Sequence, residues 1–197
     1  MAEEERRHVD AAVRGDVESF NMLVRVHESR VYGACVRLVG DRDDAADIAQ
    51  EAFISAFSRL ATYRGGSFRA WLLRIATNAA LDFLRARRRR PTISIDAHDD
   101  HHDEHPTLQI ADAAPTPEVA LDQRELAQAI QSALAQLPDD QRTAIVLRDV
   151  EGFDYAEIAD ITRASLGTVK SRISRGRARL REILIADGTV RTSWSSE

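Results

Sequence analysis

Residues 91–120 constrain the fold more than any other stretch, because nothing in them can build a core. Four of the chain's five prolines fall there, with four histidines, seven acidic residues (Asp96, Asp99, Asp100, Asp103, Glu104, Asp112, Glu118) and no Lys or Arg. Proline removes backbone donors and like charges repel, so the tract is expected to be a flexible, solvated linker. The 197-residue chain is thereby divided into two blocks, each of which must close a modest core of its own.

Both blocks read as helical. In the first, Phe20, Leu23, Val24, His27, Val31, Ala34, Cys35 and Leu38 recur at three-and-four spacing, with Asp16 placed to cap the start and Gly40 to end it. A second stripe runs through Ala45, Ile48, Ala49, Ala52, Phe53, Ala56, Phe57 and Leu60. A third, with Ser67 as its cap, runs through Phe68, Trp71, Leu72, Ile75, Ala76, Ala79 and Phe83. Three such stripes can close as a bundle. In the second block Leu126, Ile130, Ala133, Leu134 and Leu137 form a stripe that Pro138 stops, and Asp154 with Glu157 forms a capping-box pair ahead of Ile158 and Ile161. The expectation is an all-α protein with two small helical domains at 10–90 and 122–185. A flexible acidic linker at 91–121 joins them and a loose tail follows at 186–197.

Charge is strongly segregated. Residues 163–181 hold seven basic side chains (Arg163, Lys170, Arg172, Arg175, Arg177, Arg179, Arg181) and no acidic one, in a chain of formal net charge -5. Solvated helices normally interleave Glu with Arg, so this one calls for a polyanionic partner. The capped helix, turn and long basic helix of residues 154–181 have the pattern of a helix-turn-helix, with Ala159 at the helix crossing and Val169 and Ile173 turned inward. Thr168, Lys170, Ser171, Arg172, Ser174 and Arg175 then face outward near the helix start, where they could reach base edges and phosphates. Arg177, Arg179 and Arg181 suit backbone phosphates. In the first block, Tyr63, Arg64 and Phe68 lie on or beside a Gly-rich loop ahead of Arg69, Arg74, Asn78, Arg85 and Arg87, an arrangement that suits single-stranded nucleic acid. The helix over 43–60 instead presents Asp44, Asp47, Gln50, Glu51 and Ser55, a face that repels DNA and is free for a protein partner.

Other classes find less support. No apolar run approaches the ~20 residues that cross a bilayer, the N-terminus is too charged for a secretory signal, and the lone Cys35 fits a reducing cytoplasm. His98, His101, His102 and His105 beside Asp99, Asp100 and Asp103 could bind a transition metal, but a floppy tract offers no preorganised geometry. The expectation is no catalytic residue, no metal and no cofactor. A DNA-binding regulator that dimerises or senses a ligand through its first block, and a metal-dependent nuclease or recombinase using the Asp and His cluster, are the rival readings.

Four motifs occur in one order: DIAQE at 47–51, RGGSFRAWLLRIATN at 64–78, LPDDQR at 137–142 and GTVKSR at 167–172. Together they resemble the extracytoplasmic-function, or group 4, sigma factors of bacterial RNA polymerase, over about residues 10–185. The resemblance implies a region 2 that binds the coiled-coil of the polymerase largest subunit through Asp47, Gln50 and Glu51. That region would also melt the promoter −10 element, with Tyr63, Arg64, Phe68, Arg74 and Asn78 at the DNA. It implies a region 4 that reads the −35 element through Thr168, Lys170, Ser171, Arg172, Ser174 and Arg175, with Arg177 and Arg179 on phosphates and the polymerase flap as a further partner. An anti-sigma factor, itself often membrane-anchored, is implied as well, with no direct membrane contact by this chain. Two positions depart from the family pattern. Arg163 stands where glycine is usual, so a non-glycine residue is expected to take a left-handed conformation there. Ser174 stands where a larger aromatic or histidine is common, so a −35 preference does not transfer.

Overall fold

The computed structural model describes residues 2–89 and 117–189, and the described residues form helices with no strand. The histidine-rich stretch, most of the acidic linker and the end of the tail lie outside them.

The N-terminal half is a bundle of α2 (Val17–Val39), α3 (Arg42–Ser58) and α4 (Phe68–Arg89), with α1 (Ala2–Val13) laid against α2. Local chemistry sets the boundaries. Asp16 accepts from the Ser19 amide at 3.3 Å to start α2, and Gly40, at φ 86°, ends it by returning its N–H to Val36 O. Asp41 caps α3 and the Ser67 hydroxyl caps α4, accepting from the Ala70 amide at 3.2 Å. Each such cap stabilises its helix by about 1 kcal/mol. The core contains Leu23, Val31, Ala34, Cys35 and Leu38 of α2 and Ala45, Ile48, Ala52 and Ala56 of α3. The face of α4 is rotated from the expected stripe. Leu72, Leu73, Ala76, Thr77, Ala80 and Leu84 point inward, while Trp71, Ile75, Ala79 and Phe83 only flank the core. Helix α1 begins well before the expected boundary at residue 10 and is held by Val9 and Ala12, both buried.

The C-terminal half contains α5 (Pro117–Ala135), α6 (Asp139–Ile145), α7 (Tyr155–Thr162) and α8 (Leu166–Ala186). Pro117 lies within the stretch expected as linker and occupies the first helical position, where its missing N–H costs nothing. α6 runs on as a widened turn, Val146–Val150, that keeps Val146 and Leu147 buried. The α5 stripe is shorter than expected. Ala133, Leu134 and Leu137 are buried, but Leu126 and Ile130 stand 48% and 39% exposed. Asp154 and Glu157 cap α7 reciprocally, at 2.8 and 2.9 Å.

Buried apolar residues of both halves fall in one cluster, and polar side chains bridge the halves as well. Gln131 of α5 donates to Val36 O at 3.0 Å, Arg30 of α2 donates to Glu151 at 3.0 Å, and Arg88 of α4 meets Asp139 of α6 at 2.7 Å. Glu151 is 2% exposed in this arrangement, and its ionic partner comes from the other half.

Candidate nucleic-acid interface

The helix-turn-helix is built around one unusual backbone position. α7 ends at Arg163, whose φ of 53° and ψ of 43° are left-handed, and its N–H returns to Ala159 O. Among the described residues it is the one non-glycine residue with positive φ. That conformation costs an L-residue about 1–2 kcal/mol, and the turn tolerates it because the helix crossing is firmly packed. Val169 and Ile173 of α8 and Ile158 and Ile161 of α7 are all buried, with Ala159 against them. Ser165 then starts α8, its hydroxyl accepting from the Thr168 amide at 3.1 Å. Gly176 lets α8 lie close on α6, since a Cβ there would sit 2.9 Å from Ile145 Cγ1.

The expected −35 side chains fall on one side of α8 in different states. Lys170, Ser174 and Arg175 are exposed, while Thr168, Ser171 and Arg172 are half-buried. Thr168 Oγ1 is 2.8 Å from Ser165 Oγ, and the Ser171 hydroxyl donates to Thr168 O at 2.9 Å. Arg175 folds back on Ser171, donating to its carbonyl at 3.2 Å and its hydroxyl at 3.0 Å. Two arginines are held by acids of their own half. Arg172 Nε donates to Asp140 at 2.9 Å, and Arg177 makes a forked pair with Asp149, a hydrogen bond that raises the Arg177 pKa. Arg179 is exposed. The positive face is therefore preset in direction by carboxylates behind it.

In the N-terminal half, Leu60–Thr62 form a short 3₁₀ turn, and Gly65 and Gly66 follow with φ of 93° and 90°, values that only glycine adopts without strain. The Tyr63 hydroxyl donates to Gly66 O at 2.7 Å and closes the loop. Tyr63, Phe68 and Trp71 form a mutual cluster with ring centroids 5.5–5.7 Å apart. Arg64 and Asn78 are exposed and Arg74 is half-buried. Phe68 differs from the expectation of a DNA contact. It is 4% exposed, so in the free chain its ring backs the loop from inside. His27 lies behind it, its ring 5.7 Å from that of Phe68 and its Nε2 3.1 Å from Glu5 of α1; burial lowers its pKa.

On α3, Asp47, Gln50 and Glu51 are exposed on one face. Ile54 joins them at 64% exposure and Phe57 at 45%. Ile54 escaped the sequence reading because it stands outside the apolar stripe. Phe57 was placed inside it, yet keeps only a one-sided contact with Phe20, at 5.0 Å between ring centroids. Among the described residues no cluster of His, Cys, Asp and Glu could hold a metal, and no helix is long and apolar enough to cross a membrane.

Comparison with known proteins agrees with this geometry. The family model for sigma-70 region 2 matches residues 23–90, and that for sigma-70 region 4 matches residues 127–180. The chain is 40% identical over 179 residues to the RNA polymerase sigma-H factor of Pseudomonas aeruginosa, covering 89% of this chain and 91% of that one. It is 36% identical over 182 residues to the ECF RNA polymerase sigma factor SigW of Bacillus subtilis, covering 91% and 96%. Among solved structures, the sigma factor RpoE of Bartonella quintana, in complex with the anti-sigma factor NepR, matches 87% of this chain and 99% of its own. The TM-score of that match is 0.64, at 27% identity. The two helical halves, the matched regions and the identities agree, and the chain belongs to the extracytoplasmic-function sigma factors of the sigma-70 family.

Proposed function

We propose that this chain is a promoter-specificity subunit that acts in the cytoplasm, binding core RNA polymerase and directing it to promoters, with no catalytic site of its own. Asp47, Gln50 and Glu51, with Ile54 beside them, form the polymerase-docking face on α3. Tyr63, Arg64, Arg74 and Asn78 work at the opened −10 element, with Phe68 supporting them from beneath. Lys170, Ser171, Arg172, Ser174 and Arg175 read the −35 duplex, Thr168 stands at its edge, and Arg177 and Arg179 bind phosphate.

One observation carries this reading. Each half presents a positive surface suited to a different form of DNA, while an acidic face with exposed apolar side chains lies on α3. Duplex DNA suits a helix with arginines and hydroxyls along one side, whereas a Gly-rich loop beside aromatics suits unpaired bases. An acidic face cannot serve DNA, but it suits a basic protein surface. Control by an anti-sigma factor is the natural regulation, supported by the likeness to a sigma factor solved with its anti-sigma partner.

Run-off transcription with purified core polymerase on a randomised promoter library tests the reading. The expected result is transcripts only when this chain is added, from templates enriched in two separated sequence elements. Failure of core polymerase to bind the chain would overturn it.

A further inference from the structure

Helix α1 lies outside the region 2 match, which begins at residue 23, yet it is tied to the loop over 61–67 by a continuous chain of contacts. Val9 and Ala12 seat α1 on the bundle, and α1 touches the 3₁₀ turn that leads into the loop. Glu5 accepts from His27 Nε2 at 3.1 Å; a carboxylate can only accept, so the imidazole is the donor. His27 is 6% exposed, and its ring lies on Phe68, which packs in turn on Tyr63 and Trp71. Tyr63 closes the loop through Gly66 O. Glu5 and Asp10 of α1 also act on the Tyr63 hydroxyl, which burial, first, and these two acids raise in pKa, while Arg6 opposes them.

A buried imidazole needs a reason, because an apolar residue would fill the same space without desolvating two nitrogens. Its geometry supplies one. The hydrogen bond to Glu5 fixes the rotation of the ring, and the ring fixes the face of Phe68 on which the aromatic cluster rests. Two loop glycines in left-handed conformation give that loop little stiffness of its own. Its shape must therefore be imposed from behind.

Resting on the reading of residues 61–67 as the −10 reader, we propose that Glu5 and His27 are positioning residues for −10 base recognition, through which α1 sets the shape of the base-reading loop. Neither side chain touches DNA. Both act by presenting Phe68, and through it Tyr63, in one arrangement, so that a matching base finds a formed site and a mismatched one does not. Loss of the bond leaves the bundle folded on its apolar core but lets the loop sample several shapes, lowering discrimination more than overall binding.

The test uses holoenzyme reconstituted from full-length chain and core polymerase, with promoters carrying a fluorescent base analogue in the −10 element, either matched or altered at one base. The readout is the ratio of opening rates on the two promoters, together with the thermal midpoint of each free variant. Glu5→Ala and His27→Phe are expected to lower the ratio about tenfold, the scale of one hydrogen bond to a charged group. Glu5→Gln, whose amide oxygen still accepts from Nε2, retains the ratio. A wild-type ratio in Glu5→Ala overturns the proposal. So does an equal loss on both promoters that follows the thermal midpoint, since that marks a purely structural role. If wild-type holoenzyme opens neither promoter, the assignment of the loop as −10 reader fails, and the proposal fails with it for that separate reason.

Discussion

Arg172 Nε points at Asp140 Oδ2 across 2.9 Å, so a side chain expected to read DNA is already held by a carboxylate at the start of α6. Asp140 fixes the direction of Arg172 but also competes with any phosphate or base for it. Arg172→Ala is expected to cost about 1–3 kcal/mol at the −35 element and to relax its sequence preference. Asp140→Ala should do the opposite to affinity, strengthening binding to all duplexes at low salt while narrowing the gap between matched and scrambled −35 elements. Transcription titrations on both templates distinguish the two.

Gly176→Ala tests the approach of α8 to α6. Alanine favours helix by about 1 kcal/mol over glycine, but its methyl would stand 2.9 Å from Ile145 Cγ1 and 3.4 Å from Gln141 Cβ. Ile145 is buried and cannot swing away. Overpacking of this kind costs about 1–3 kcal/mol, so the variant should be less stable by about 1 kcal/mol. Denaturant unfolding measures it.

Arg163→Gly should have the reverse sign. Glycine removes the cost of the left-handed conformation, about 1–2 kcal/mol, and loses about 0.5–1 kcal/mol to chain entropy. A net gain of about 0.5 kcal/mol is expected. Arg163→Val, with a branched Cβ at the same φ of 53°, should be clearly destabilised.

The seam between the halves is open to a direct test. Arg30→Ala leaves Glu151 facing the other half without its ionic partner. The chain relieves this by parting the halves, which rehydrates the carboxylate. The radius of gyration from small-angle scattering should rise, whereas salt should have little effect on the wild type, since a buried pair is only weakly screened. A radius unchanged in the variant would contradict this.

Alkaline pH should weaken the N-terminal half through Cys35. Burial pushes this thiol up to about 12 from an ordinary value of 9.0. Above pH 9 the unfolded chain releases a proton that the folded chain retains, so stability falls as pH rises from 9 towards 12. Cys35→Ala should flatten that part of the curve, and thermal melts across this range check it.

What could be read from the sequence was mostly local. Asp16, Ser67 and the Asp154 and Glu157 pair act within three residues of themselves, and their caps are where spacing alone puts them. The strain at Arg163 was legible for the same reason, as a turn position occupied by a residue with a Cβ. Helix α1 was not, because half of its residues are charged and its hold on the bundle comes from Val9 and Ala12. The rotation of α4 and the exposure of Leu126 and Ile130 depend on which neighbours are present, and periodicity carries no such information. At the candidate sites, the basic residues of α8 were evident from composition. Their carboxylate partners were not, since Asp140 and Arg172 lie 32 residues apart. Phe68 shows the same limit, because an aromatic beside arginines looks alike whether it faces a base or the interior.

The ion pairs that cross the seam, Arg30 with Glu151 and Arg88 with Asp139, have a further consequence. A carboxylate shut away from solvent is tolerated only within reach of its guanidinium. The halves therefore fit in one registry, and sliding one along the other would strand Glu151.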